Sequence, residues 1–479
     1  MRRGRKGAWR YLDVLGVTQG ESGKWEHRLQ TTSSAGDEHR KVRDRCSVLH
    51  SAIDGVATVR VWLITVGEPL PIGNSTDRLW RTGLLAEILS GRGHEVLWWT
   101  STVDHIRKEL FVSGEPRLRS RIGASIRFLS GRLYRRNVSV GRLLNHREIG
   151  RRFRELARRE PPPDIIVCSF PTVELSRECV RYGRAVATPV ILDIRDLWPD
   201  IFLPLLPRFA RALGRAALSG LFRDTAWALS GCDHLFAVSD GYLDWGLARA
   251  GRMRRAGDLT FPLGYPTTTW SAADELSLMK RLSACGVRPN IPLATFVGTF
   301  GRTYDLDTVI HSARLLAQRG QERLQFILCG AGERDEAWRA AAEDVPGIAF
   351  PGWLSAGELA CLLSRSAIGL AAYAAHAPQG IPNKVIEYLS AGIPVLCSLR
   401  GEARDLLESN RCGTHYAPGE AHALAAELEN LVANADRRVS MGAAARDLFH
   451  RRFSAHTVYG GMARHLELLV EDRARVAVR

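Results

Sequence analysis

Two series of short apolar segments, each alternating with helix-patterned stretches, most constrain how this chain can fold. The first series is VRVWLITV (59–66), EVLWWTS (95–101), DIIVCSF (164–170), PVILDIRD (189–196) and HLFAVS (234–239). Between its first two members lie a Gly/Pro loop, GEPLPIGNS (67–75), and a helical pattern with Leu79, Leu84, Leu85, Ile88 and Leu89 that stops at GRGH. Strand, loop, helix and strand in about 40 residues make a βαβ unit, which requires a parallel sheet. The rhythm pauses near Tyr265-Pro266, and a polar, helix-prone connector runs to Pro292. A second series follows: LATFVGTF (293–300), LQFILCG (324–330), GIAFPGW (347–353), AIGLAAY (367–373) and IPVLCS (393–398), with a long final helix predicted over 455–472. The fold class is therefore α/β, two Rossmann-like domains with a ligand cleft between them. The predicted division is a poorly ordered basic extension (1–57), an N-terminal domain (58–266), a connector (267–290), a C-terminal domain (291–450), and a closing helix and tail (451–479).

Size agrees, because 479 residues exceed what one core organises. With 45% apolar and 24% charged residues the chain reads as globular rather than disordered. No run reaches the roughly 18–20 apolar residues that span a bilayer. The basic start, MRRGRKGAWRYLDVLG, is followed by no apolar stretch of the kind a secretory signal has. A cytoplasmic protein is predicted, and the sequons at Asn74 and Asn137 carry no weight there. The nine cysteines are scattered singly, without a metal-ligand or disulfide pattern, and Cys168, Cys329 and Cys397 sit in apolar runs as core residues.

The net charge of +15 is concentrated. Fourteen arginines lie between Arg117 and Arg159, opposed within that stretch by Glu148 and Glu155. Such a block suits anionic lipid headgroups, nucleic acid or a phosphorylated substrate, or is a solvated surface. Nucleic acid is disfavoured, because only Phe128, Tyr134 and Phe153 are there to stack on bases.

The stretch PQGIPNKVIEYLSAGIPVLCS (378–398) carries the most chemistry. A Gly/Pro loop opens a helix through Asn383, and a helix N-terminus offers unpaired N–H groups and a positive dipole end to a phosphate. Lys384 in the first turn opposes that dipole unless an anion sits there. Glu387, three residues on, could accept from two ribose hydroxyls. An ordinary turn with a surface Lys and Glu has the same spacing. This stretch resembles the retaining glycosyltransferases of family 4, whose Glu-x7-Glu motif ends in a ribose-binding glutamate ahead of a G-x-P-V strand. Glu387 and GIPV (392–395) match that ending, while Gln379 replaces the first glutamate and cannot act as a base.

A second likeness is FVGTFGRTYDLDTVIHSARLL (296–316). The resemblance places this loop beside the donor diphosphate, so Gly298, Gly301 and, in the next strand's loop, Gly330 are predicted to line the donor site. Thr299 and Tyr304 stand where many members have Arg and Lys, which leaves Arg302, with Lys384 and Gln379, as the predicted catalytic set. Asp305-Leu-Asp307 has the form of a metal-binding D-x-D, but it opens a helix, where Asp305 is a natural N-cap. No metal or other cofactor is predicted. In the first domain Gly73 matches the family's glycine loop. Asp196 is retained from its His-Asp pair and Arg195 takes the histidine's place; with His105 these are the acceptor-side candidates.

The resemblance, spanning about 59–470 and nearest to bacterial members that build surface polysaccharide, implies a GT-B enzyme with an N-terminal acceptor domain and a C-terminal nucleotide-sugar domain. It implies sugar transfer with retention, without a metal, from a nucleotide-sugar to a glycan acceptor carried on a lipid. A lipid-linked acceptor would give the arginine block and FLPLLPRFARALGRAALSGLF (202–222) a purpose at the anionic inner face of the plasma membrane. The alternatives are a sugar-nucleotide epimerase of the same fold and a GT-B scaffold that binds without turnover. A nicotinamide dehydrogenase is disfavoured because GEPLPIGNS lacks G-x-G-x-x-G.

Overall fold

The computed structural model describes residues 58–478 except 74–77, 137–138, 322 and 378–379. The extension predicted over 1–57, both sequons and Gln379 thus lie outside the described residues.

The first series forms β1 (Arg60–Ile64), β2 (Glu95–Ser101), a small hairpin of β3 (Val103–Asp104) and β4 (Glu109–Leu110), then β5 (Arg117–Arg119), β6 (Ser125–Leu129), β7 (Ile165–Phe170), β8 (Val190–Ile194), β9 (His234–Ala237) and β10 (Leu259–Thr260). Helices α1 (Arg81–Gly91), α2 (Val140–Ala157), α3 (Val173–Val186), α4 (Arg211–Ala217), α5 (Ser219–Gly231) and α6 (Asp240–Ala250) connect them. The sheet order is β10-β9-β8-β7-β1-β2-β6-β5, parallel except for the edge pair β5–β6. Strands covered on both faces must be apolar throughout rather than alternating, and β1, β2, β7 and β8 are almost wholly buried. On one face Trp62 stacks on Tyr182 at 5.0 Å and meets Trp99 at 5.1 Å.

The second series forms β11 (Leu293–Val297), β12 (Gln325–Cys329), β13 (Ile348–Ala349), β14 (Ile368–Ala371), β15 (Val395–Cys397) and β16 (Gly413–His415). All pair in parallel, in the order β13-β12-β11-β14-β15-β16. Its helices are α7 (Ala272–Ala284), α8 (Leu306–Gln318), α9 (Asp335–Ala341), α10 (Ala356–Arg365), α11 (Asn383–Ala391), α12 (Glu402–Ser409), α13 (Ala421–Ala433) and α14 (Ala435–Arg452). In both lobes the strand order reverses beside the first strand, between β1 and β7 and between β11 and β14. Ligands of open α/β sheets bind at the carboxyl ends of the strands at such points.

The stretch read as a connector is largely a helix of the second lobe. A capping box between Ser271 and Asp274 starts α7, and its Leu278 and Leu282 bury against Leu293, Ile327 and Leu362. The final helix, α15 (Ala455–Val478), returns to the first lobe. Its Val458, Tyr459, Met462 and Leu466 share a core with Leu85, Leu89, Val96 and Trp98. Glu467 accepts hydrogen bonds from Arg92 at 3.0 Å and from His94 at 2.9 Å. The two stretches that cross between lobes run side by side: Tyr265 N donates to Phe453 O at 2.8 Å and Ala455 N to Tyr265 O at 2.9 Å.

The arginine block is less free than its sequence suggests. Folding brings carboxylates from outside the block to Arg117 and Arg127 (Glu160), Arg152 (Glu115) and Arg154 (Glu178). Its three aromatic side chains are buried, so none offers a face to a base. Cys168, Cys329 and Cys397 are buried thiols. Among the described residues, no helix is long and apolar enough to cross a membrane.

Because Leu466 is 1% exposed in the shared core, Leu466→Ala should cost about 2–5 kcal/mol in urea denaturation. A loss under about 0.5 kcal/mol would show that α15 is not integral to the first lobe.

Candidate functional site

The carboxyl end of β11, next to the reversal of strand order, collects most of the predicted donor-side residues. Gly330 is required there by packing, since its Cβ would lie 1.8 Å from Gly298 O, and Gly298 is favoured by its backbone, at φ 155°, with Lys384 Nζ 2.7 Å from where its Cβ would be. Gly301 and Gly73 have open space where a Cβ would go. Pro382 precedes α11, Asn383 is exposed in its first turn, and Gly392 stops it at φ 67°.

Lys384 does not project as a surface cation. It is buried, its ammonium donates to Val297 O, and it lies over Phe296 at 3.3 Å and Tyr304 at 4.3 Å. Burial holds its pKa well below the usual lysine value, and the nearby Glu387 only partly opposes that. Tyr304, at the position where the family-4 likeness has a lysine, is thus one wall of an aromatic seat for Lys384. Arg302 lies apart on the exposed loop, its Nε 3.2 Å from Glu333. Asp305 caps α8 through Thr308 N at 3.1 Å and also accepts from Gly419 N, while Asp307 accepts from Arg334 and Trp338.

Glu387 is half-buried at the lobe boundary. Arg78, from the loop after β1, approaches it at 3.4 Å and stacks over Tyr265 at 4.5 Å, and the charge of Glu387 adds to the burial that pushes the Tyr265 pKa up. Arg78 and Tyr265 had no motif to mark them; both are met only when the lobes come together.

On the first lobe, Arg195 ends β8 inside a buried ion network. Asp193 has no exposed surface and accepts from Arg81 at 2.8 and 2.9 Å and from Arg195 at 2.8 Å. Arg195 also donates to Glu68 and, at 2.9 Å, to Thr82 Oγ1. Arg81 extends the network to the carbonyls of Phe261 and Pro262 at 2.9 and 3.0 Å. Arg195 therefore anchors the β1 loop, and its guanidinium is occupied there. Asp196 caps its own turn through Leu197 N at 2.8 Å. His105, in the turn between β3 and β4, has Nδ1 2.6 Å from Tyr134 Oη. Burial first, then Arg142 and Lys108, lower its pKa to about 4, so it is neutral near pH 7. Among the described residues, no group of three or more His, Cys, Asp or Glu side chains could hold a metal ion.

Residues 291–434 match the family model for glycosyl transferases group 1. A comparison with curated proteins returns no match. Solved structures are similar over nearly their whole length. Sucrose-phosphate synthase from Thermosynechococcus elongatus is 15% identical, with 86% of this chain and 99% of that chain covered at a TM-score of 0.60. HepE from Anabaena, in complex with UDP, is 15% identical over 85% and 99% of the two chains (TM-score 0.58). WaaG, a glycosyltransferase involved in lipopolysaccharide biosynthesis, is 16% identical over 84% and 98% (TM-score 0.52). The fold is GT-B, and the matched domain together with this fold supports glycosyltransferase function.

Burial raises the Asp193 pKa, but Arg81 and Arg195 outweigh it and bring it from 3.8 to about 2. A depressed folded pKa stabilises above the unfolded value, so this contribution, on the order of 2 kcal/mol, should be present above pH 3.8 and fade as pH falls towards 2. Asp193→Ala should lose about 3–5 kcal/mol at pH 7 in denaturant titrations, because two buried guanidiniums lose their counter-charge. A loss below about 1 kcal/mol would contradict the network's role.

Proposed function

We propose that the chain is a retaining, metal-independent glycosyltransferase of family-4 type, moving a sugar from a nucleotide-sugar to a lipid-linked glycan in surface-polysaccharide synthesis. The observation that carries the reading is the crevice beside β11, where α11 brings a buried lysine and a half-buried glutamate to the point of strand reversal. In this reading the lobe over 291–450 takes the donor and the lobe over 58–266 the acceptor. Glu387 holds the ribose, leaving Arg78 and Tyr265 to close over it. The first turn of α11, Asn383 included, and the glycines 298, 301, 330 and 73 admit the diphosphate. HepE, solved with UDP and with UDP-glucose, supports a nucleotide-sugar of that kind as donor.

Departure of the nucleoside diphosphate is the charged step. Lys384 supplies a proton-bearing cation from beneath Gly298, Arg302 swings in from the exposed loop, and Gln379 donates a hydrogen bond to the sugar or phosphate. Leaving-group stabilisation requires no covalent bond to the protein. His105, Arg195 and Asp196 line or shape the acceptor side.

A peripheral station on the inner membrane face follows from a lipid-linked acceptor. Phe209 and Leu213 are strongly exposed between Arg208, Arg211 and Arg215, a pairing of apolar and cationic groups suited to anionic lipid. Sedimentation should show binding to anionic vesicles well above binding to neutral ones; equal binding would remove the electrostatic docking.

For the donor reading, a panel of nucleoside diphosphates should contain one that raises the melting temperature. Glu387→Ala should weaken that ligand at least tenfold, about 1.4 kcal/mol. Because an anion favours the charged form of a lysine whose pKa burial has lowered, calorimetry in buffers of different ionisation enthalpy should register proton uptake on binding, lost in Lys384→Met. No stabilising nucleotide would end the donor reading.

A further inference from the structure

A second group of side chains gathers where three strands of the first lobe end. His105 and Lys108 come from the hairpin after β2, Tyr134 from the loop after β6, Arg142 and His146 from α2, and Asp196 and Trp198 from the loop after β8. Arg142 stands at its centre: the guanidinium lies over Trp198 at 4.8 Å, and its Nε donates to His146 Nε2 at 3.4 Å. His146 is buried, stacked on Trp198 at 5.9 Å. With Nε2 accepting, its Nδ1 carries the proton, faces Glu174 at 3.8 Å, and has no hydrogen-bond partner. His146 and Trp198 thus fix the plane of Arg142. On its other flank Lys108 lies over Tyr134 at 5.3 Å and donates to His105 O, with His105 Nδ1 3.5 Å from the ammonium and 2.6 Å from Tyr134 Oη.

Arg142 and Lys108 bring positive charge to this place, opposed by Asp104 and Asp196. Arg142 is among the causes that lower the pKa of His105, His146 and Lys108, behind burial in each case. A guanidinium pre-oriented over an aromatic ring, with an ammonium and a neutral imidazole beside it, matches the oxygens of a phosphate. Ile106, Leu110, Leu133, Val140 and Leu143, in the hairpin, the loop and the start of α2, are exposed apolar side chains beside these donors in the chain. An anion attached to an apolar chain satisfies both features.

We propose that Arg142, Lys108 and His105 form a phosphate subsite for the acceptor, taking a phosphate ester carried on an apolar chain. His146 is a positioning residue that holds Arg142. The proposal rests on the reading of the first lobe as the acceptor side.

Calorimetry on the full chain, below micellar concentrations, would compare geranyl phosphate, geraniol and inorganic phosphate. Geranyl phosphate should bind, geraniol should not, and inorganic phosphate should bind at least tenfold more weakly. Arg142→Gln should weaken geranyl phosphate at least tenfold without altering the melting shift given by the best nucleoside diphosphate. Should that variant not fold, Lys108→Met, at a half-exposed position, should weaken geranyl phosphate at least threefold. Equal binding of geraniol, or unchanged affinity in a folded Arg142→Gln, would overturn the subsite. Inorganic phosphate matching geranyl phosphate would keep the subsite and assign it to a water-soluble phosphorylated acceptor. Geranyl phosphate binding through Arg142 with no nucleotide effect would remove the donor reading alone; the reverse pattern would remove the subsite alone.

Discussion

A carboxylate with no access to water sits at the base of the first lobe, and much else is arranged to make that tolerable. Burying Asp193 is costly unless its charge is met at close range and its lone pairs are filled. Two guanidiniums do this, and each brings further structure with it. Arg81 fixes the start of α1 and the carbonyls of 261–262, where the chain leaves for the second lobe. Arg195 fixes Glu68, which in turn accepts from Thr82 N and Oγ1 and so holds the loop after β1. The loop, the helix start and the exit strand are thus set by one charge that cannot move.

The lobe boundary is built in a complementary way. Tyr265 lies on one of the two crossing stretches, and its backbone pairs with Phe453 and Ala455 on the other. Arg78, which also approaches Glu387, lies over its ring. The two crossings are thus joined by backbone hydrogen bonds into a narrow ribbon.

The sheets were legible in the sequence because a strand covered on both faces must be apolar along its whole length, and ten such runs stood between turn residues. Local chemistry was legible too: Asp305 caps α8 and Gly392 ends α11 because those roles depend on neighbours in the chain. What could not be read was where long cationic side chains go. Lys384 reads as a surface cation at a helix start, yet it turns under Gly298 into rings from β11 and from the loops after β11 and β14. Arg81 looks like an ordinary first-turn arginine until Asp193, more than a hundred residues away, requires it. The arginine block suggests an open basic face because Glu115, Glu160 and Glu178 lie outside it in sequence. In each case the side chain is long enough to choose among partners, and the choice is made by tertiary contacts.

The return of α15 to the first lobe has a consequence for how the protein is made. The sheet of that lobe is complete in sequence once β10 has left the ribosome, but the helix that covers Val96, Trp98 and Ile165 begins at Ala455. At about 5–20 residues per second, synthesis of the intervening chain takes roughly 10–40 s. Through that interval the nascent first lobe exposes an apolar face that only its own last segment can cover. The second lobe, by contrast, has its whole sheet and α7 to α14 in hand before α15 is made. The half that is synthesised first is therefore the half that finishes last.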